Sequence, residues 1–132
     1  MYDLVIIGGG PAGLSAALEA NRHDLKTLLI ERDDELGGIL HQCIHHGFGI
    51  EEFKKELTGP EYAYGLIKQL EHSSIEVWTN TLMREVKPGY VQCINQNGIR
   101  EVKTKAILMC LGCRERTAGE IALLGERPSG IF

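Results

Sequence analysis

The sequence predicts an α/β fold built on a parallel sheet, and three observations carry that prediction. A short apolar run, Leu4 to Ile7, leads straight into a glycine-rich turn, Gly8-Gly9-Gly10-Pro11-Ala12-Gly13. Behind the turn, Leu14, Ala16, Ala17, Leu18 and Ala20 mark a helix with a small-residue face. A second apolar run, Lys26 to Ile30, then returns to the pattern of a strand buried on both faces. Strand, turn, helix and strand in this order make a βαβ unit, whose crossover is right-handed and whose strands are parallel.

The later elements follow from the same punctuation. Gly37 to Gly49 is rich in glycine and histidine and reads as part helix, part loop. Gly59-Pro60 breaks the chain, and Pro60 suits the first turn of a helix that runs to about Glu71, with Tyr62, Leu66, Ile67 and Leu70 as its buried stripe. Ile75 to Trp78 is a short strand. Leu82 to Val86, Tyr90 to Ile94 and Ile99 to Lys103 read as an antiparallel meander, joined by Lys87-Pro88-Gly89 and by a tight turn at Asn97-Gly98. Ala106 to Leu111 is one more buried strand, closed by Gly112. Ile131-Phe132 opens another apolar run at the last two positions, which suggests a fragment of a longer chain. The expected architecture is one domain over residues 1–132: a Rossmann-like dinucleotide-binding fold, with a βαβ core in a parallel sheet plus a small antiparallel β-meander.

The 132 residues suffice for one core, and 43% hydrophobic with 24% charged residues is ordinary for a globular protein. A formal charge of −4 and the lack of any basic block argue against a nucleic-acid partner. No apolar run reaches the length of a membrane span. The start has no basic n-region, so a signal peptide is not expected. Cys43, Cys93, Cys110 and Cys113 are expected to be free thiols, and the expected compartment is the cytoplasm.

Chemistry concentrates in the glycine turn. Gly8, Gly10 and Gly13 stand at G-x-G-x-x-G spacing between a strand and a helix. The first permits the tight turn, the second lets backbone approach a pyrophosphate, and the third lets helix and strand pack closely. Pro11 presets the backbone, and the helix N-terminus from Ala12 onward presents N–H groups and partial positive charge to phosphates. Glu31 ends the second strand, where a carboxylate can accept hydrogen bonds from a ribose diol and repel a 2′-phosphate. Arg32 beside it softens the argument against a phosphorylated ribose. These residues are the candidate dinucleotide contacts, and by themselves they do not choose between FAD and NAD.

A resemblance narrows the choice. Gly8 to Ala20, Glu31 with Gly37-Gly38, the apolar stretch from Thr104 to Gly112, and Arg127-Pro128-Ser129-Gly130-Ile131-Phe132 are together similar to the FAD segment of the disulfide-reductase-like flavoproteins. The blocks from Gly37 to Gly49, Leu57 to Tyr62 and Leu111 to Thr117 resemble one bacterial subfamily, the NAD(FAD)-dependent dehydrogenase type of pyridine nucleotide-disulfide oxidoreductase. The resemblance implies FAD as cofactor, with Gly38, Leu82 and Gly112 as further contacts. It also implies NAD(P)H as co-substrate, bound by a remaining NAD(P)H-binding part of the protein. A partner of the anaerobic glycerol-3-phosphate dehydrogenase type is implied as well. Cys110-Leu111-Gly112 departs from the Ala-Thr-Gly usual in the class.

Cys43 lies in the segment that faces the flavin in that class, yet it stands alone where the disulfide reductases carry a C-x4-C pair. It is the one candidate catalytic residue, against an inert packed cysteine. His41, Cys43, His45 and His46 admit a metal-binding reading, a flavin-pocket reading and a solvated one, and no metal ligand is assigned. Cys110 and Cys113 form a C-x2-C, but the first falls in a strand rather than at a helix N-terminus, so the pair reads as structural. Arg114 and Arg116 read as phosphate or partner contacts, or as a solvated loop.

The expected function is the FAD-binding domain of an oxidoreductase that passes hydride and electrons between NAD(P)H, FAD and an acceptor. Two alternatives stay open, an NAD-binding module of a dehydrogenase and a non-enzymatic redox- or metal-sensing domain using residues 41–46. An isolated fragment is expected to be inactive, to lack FAD or hold it loosely, and to self-associate through an open sheet edge.

Overall fold

The structure is a computed structural model, and it describes residues 1–114, 116–122 and 125. In chain order the elements are β1 (Tyr2–Ile7), α1 (Pro11–Arg22), β2 (Thr27–Ile30), a 3-10 helix (Gly38–Gln42), β3 (His46–Phe48), α2 (Ile50–Phe53), β4 (Leu57–Thr58), α3 (Gly59–Glu71), β5 (Glu76–Trp78), β6 (Leu82–Lys87), β7 (Tyr90–Asn95) and β8 (Gly98–Met109). One six-stranded sheet has the order β5-β2-β1-β8-β7-β6, and β3 with β4 forms a separate two-stranded sheet. The strands β5, β2, β1 and β8 run parallel, while β6, β7 and the first half of β8 form the antiparallel meander.

Around β1 and β2 both faces of the parallel sheet are covered, which is why these two strands read as unbroken apolar runs. The run Ala106–Leu111, expected to be buried, is instead largely exposed, with Leu108, Met109 and Leu111 at the surface. Alternate residues of β1 and β2 divide between two cores. Ile6 and Leu29 face the helices, where Leu14, Ala17 and Leu18 of α1 meet Leu66 and Leu70 of α3. Val5, Ile7, Leu28 and Ile30 point the other way and pack against Val91, Cys93 and Val102 of the meander. The meander therefore folds over the sheet face that the helices leave bare. The chain is a three-layer stack of helices, parallel sheet and meander.

The predicted strands Ile99–Lys103 and Ala106–Leu111 merge into one strand, β8, which ends at Met109, so Cys110, expected inside a strand, lies just past its end. Its first half pairs antiparallel with β7, up to Tyr90 opposite Lys103, and its second half pairs parallel with β1, from Tyr2 opposite Thr104 to Ile7 opposite Met109. Thr104-Lys105 is polar but carries no turn chemistry, so nothing there stops an extended chain. Thr104 is buried, its N–H donates to the Gly89 carbonyl, and its hydroxyl donates to the Ala106 carbonyl. A polar residue marked the joint between two sheet regions, not a loop. The hairpin before β8 turns at Gln96-Asn97, one residue earlier than predicted, since Asn95 pairs with Gly98.

Helix α3 spans the predicted stretch and is held at its start by a reciprocal cap. The Thr58 hydroxyl accepts from the Glu61 N–H while the Glu61 carboxylate accepts from the Thr58 N–H at 2.8 Å. The Thr58 N–H, joined by the Thr58 hydroxyl donating at 2.8 Å, holds the Glu61 carboxyl below its ordinary range. Its buried face is Ala63, Leu66 and Leu70, whereas Tyr62 and Ile67 are only half-buried. Tyr62 leans toward Phe48 and Phe53 and donates to Glu52, which pushes its phenol up to about 12. That aromatic contact ties β3 and α2 to α3, and neither of those short elements was predicted. Arg127–Phe132, expected to lead into a further strand, lies outside the described residues.

Candidate functional site

Chain order places the site. From β1 the chain winds outward through β2 to β5, and β8 then returns on the opposite side of β1. The crevice beyond the carboxyl ends of β1 and β8 is thus the point where strand order reverses, the usual ligand position in open α/β sheets. The glycine turn opens there. Gly8 donates its N–H to the Ile30 carbonyl at 2.8 Å, and Cys110 donates to the Ile7 carbonyl at 2.7 Å. Gly8 has a φ of +106°, and a Cβ on it would collide with the Cys110 carbonyl oxygen. Gly13 is buried, and a Cβ there would run into the Gly8 carbonyl oxygen.

Gly10 is different from both. Its φ of −74° suits any residue, and a Cβ built on it meets nothing within 4 Å. Neither conformation nor packing among the described residues requires glycine at this position. Gly10 is also the N-cap of α1, and no side chain caps the helix. The N–H groups of Ala12 and Gly13 precede the first intrahelical donor, Leu14 to Gly10 at 2.9 Å, and belong to the donors an α-helix leaves unpaired. Pro11, at the first helical position, has no N–H to contribute.

Glu31 is buried, at 8% exposure, directly after β2. One carboxylate oxygen accepts the Gly9 N–H at 2.6 Å and the other accepts the Asp33 N–H at 3.0 Å. Its own N–H donates to the Trp78 carbonyl, and its carbonyl accepts from buried Thr81 at 2.9 Å. Each carboxylate oxygen retains a second lone pair for another donor. Leu82, next to Thr81, starts β6 at 53% exposure, so the Thr81 bond brings it toward the Glu31 backbone. Arg32 lies at the surface with its guanidinium 3.6 Å from Asp33.

The second glycine pair closes on the first. Gly37 donates to the Gly9 carbonyl at 2.8 Å, and a Cβ on Gly38 would lie 3.2 Å from the Gly10 Cα. Gly112, with a φ of +66°, follows two residues after Cys110, whose carbonyl abuts Gly8. Cys43 is farther along, half-buried after the 3-10 helix, its thiol donating to the Ile39 carbonyl at 3.4 Å and its Cβ against Gly59 of α3. The four cysteines are free thiols in the structure. Burial pushes the Cys110 thiol up, the opposite of what a reactive thiolate needs.

The segment 41–46 does not converge. His41 contacts the Leu36 carbonyl, while His45 tilts over Phe48 and contacts the His46 carbonyl. Arg114 is held by Glu120 at 2.6 Å. Sequence reasoning assigned no role to Gly9, whose N–H and carbonyl join Glu31 and Gly37 to the turn. The run of three glycines was the available signal.

Comparison with known proteins agrees with this geometry. Residues 2–128 match the family model described as pyridine nucleotide-disulphide oxidoreductase. The chain is 31% identical to a ferredoxin-NADP reductase of Sulfurisphaera tokodaii over 95% of its own length and 39% of that protein. It is 32% identical to a thioredoxin reductase of Peptoclostridium acidaminophilum over 90% of its length and 37% of that protein. Its backbone resembles the crystal structure of thioredoxin reductase from Streptococcus pyogenes, with a TM-score of 0.72, 28% identity, and coverage of 90% of this chain and 38% of that one. The chain thus spans less than two fifths of each of these proteins. No helix among the described residues is long and apolar enough to cross a membrane. The chain belongs to the pyridine nucleotide-disulphide oxidoreductase family, whose members use FAD and NAD(P)H.

Proposed function

We propose that this chain is the FAD-binding domain of an oxidoreductase, with the Gly8–Gly13 turn on the pyrophosphate and Glu31 on the ribose of the adenosine end. Gly10 carries the reading, because the described residues leave the space beside it open and it lies before uncapped helix N–H groups. Pro11, Ala12 and Gly13 then shape the phosphate end, Leu82 and Arg32 flank the ribose side, and Gly38 and Gly112 form the walls on either side of the turn. Bound FAD supplies the hydride chemistry, and the domain binds and orients it.

The whole protein would take hydride from NAD(P)H, through a part beyond this domain, and pass electrons to an acceptor. Cys43 is the candidate thiol for the flavin side. A glycerol-3-phosphate dehydrogenase-type partner, by resemblance, and a cytoplasmic setting, from the free cysteines and the start of the chain, complete the proposal. Self-association is supported by one feature of β8. Strand β7 pairs with it only as far as Lys103, so among the described residues its edge from Lys105 to Met109 has a strand partner on the β1 side alone. Leu108 and Met109 are exposed there, and such an edge invites another strand.

Titrating FAD and NAD separately into the chain tests the cofactor. Flavin fluorescence should change saturably with FAD, and ADP, which shares its adenosine and pyrophosphate, should displace it. NAD binding as tight as or tighter than FAD would overturn the FAD reading.

A further inference from the structure

His41 is exposed, yet its ring is not idle. Its Nε2 lies 2.7 Å from the Leu36 carbonyl, five residues back. A carbonyl only accepts, so Nε2 carries the hydrogen and donates it. The ring also lies against Gly37, where any Cβ would collide with Nε2. The bond therefore closes a small loop over Gly37, which has a φ of +117°, and Gly38, with a φ of +53°.

That loop contacts the cofactor turn at three points. Gly37 donates to the Gly9 carbonyl at 2.8 Å, the Leu36 side chain fills the space over Gly9, and Gly38 sits so close to Gly10 that a Cβ on it would lie 3.2 Å from the Gly10 Cα. Gly9 in turn donates to Glu31. A continuous path of contacts runs from the imidazole through the backbone of Leu36, Gly37 and Gly9 to Gly10 and the Glu31 carboxylate, proposed for the pyrophosphate and ribose.

We infer that His41 is a positioning residue for the dinucleotide, holding the Leu36–Gly38 loop as one wall of the crevice through its bond to the Leu36 carbonyl. The inference rests on the FAD reading, since it names the dinucleotide as the ligand that benefits. His41 itself touches no phosphate. Its effect is preorganisation: with the wall already closed, less ordering remains to be done when the ligand arrives.

The test compares His41→Phe, which keeps a ring without the donor, with His41→Gln, whose amide nitrogen reaches the position of Nε2. In the ligand-free chain, the Gly37 amide should exchange with solvent about three- to tenfold faster in His41→Phe, as loss of one hydrogen bond implies. The FAD dissociation constant should rise by a similar factor, while the melting temperature stays near the wild-type value because the side chain is exposed. His41→Gln should restore both. Unchanged Gly37 exchange in His41→Phe overturns the inference, and so does a His41→Gln variant that behaves like His41→Phe. Failure of the wild-type chain to bind FAD overturns the cofactor reading instead, a result the ligand-free exchange measurement keeps separate.

Discussion

Replacing Gly13 by alanine should cost the domain about 3 kcal/mol or more, enough to lower its melting temperature sharply or prevent folding. The added methyl has nowhere to go. It points from the first turn of α1 into the carbonyl oxygen of Gly8, a residue whose N–H is bonded to Ile30 and whose α-carbon packs against the Cys110 carbonyl. Relief would require α1 to lift from β1, which opens the core that Leu14, Ala17 and Leu18 form with Ile6 and Leu29. Gly10→Ala is the control. Its methyl enters open space, and the change of cap residue should cost less than about 1 kcal/mol. Urea unfolding of the two variants checks the contrast. Equal stabilities would mean that the close approach of helix and strand at Gly13 is wrong.

Glu31→Ala should lose both stability and ligand. The carboxylate is buried and accepts two backbone N–H groups, those of Gly9 and Asp33. Alanine leaves both donors without a partner in a confined place, a cost of about 2 to 4 kcal/mol in folding free energy. Loss of the ribose acceptor should then weaken FAD by about ten- to a hundredfold. Glu31→Gln separates the two effects in part, since its carbonyl oxygen still accepts one N–H while its amide meets the other donor as a like partner. It should fold better than Glu31→Ala and still bind FAD poorly. Wild-type stability in Glu31→Ala would deny the carboxylate its place in the turn. The structure thus gives Glu31 a part in folding that spacing alone does not reveal.

Much of the fold was legible because the signals were local. Four-residue apolar runs, a glycine turn and Gly59-Pro60 each act within a few residues, and the elements they mark are present in the structure. The exceptions required tertiary information. Thr104 reads as a polar interruption, yet it bonds across to Gly89 and lets β8 serve two sheet regions as one strand. The short β3, α2 and β4 owe their places to an aromatic contact with α3 and to pairing across eight intervening residues, from Phe48 to Leu57. At the site, the G-x-G-x-x-G spacing and the acidic residue were visible in the chain. That Glu31 binds Gly9, and that His41 reaches Leu36, depend on how turns from different elements meet, which no spacing rule states.

The central claim is that the Gly8–Gly13 turn grips the pyrophosphate of FAD, and a paired titration of wild type and Gly10→Val tests it most directly. A Cβ at this position meets nothing within 4 Å among the described residues, so the valine should leave the fold intact and circular dichroism should show both proteins folded alike. The account predicts saturable, ADP-displaceable FAD binding by the wild-type chain and none by Gly10→Val. Equal FAD affinity in the two proteins would contradict it.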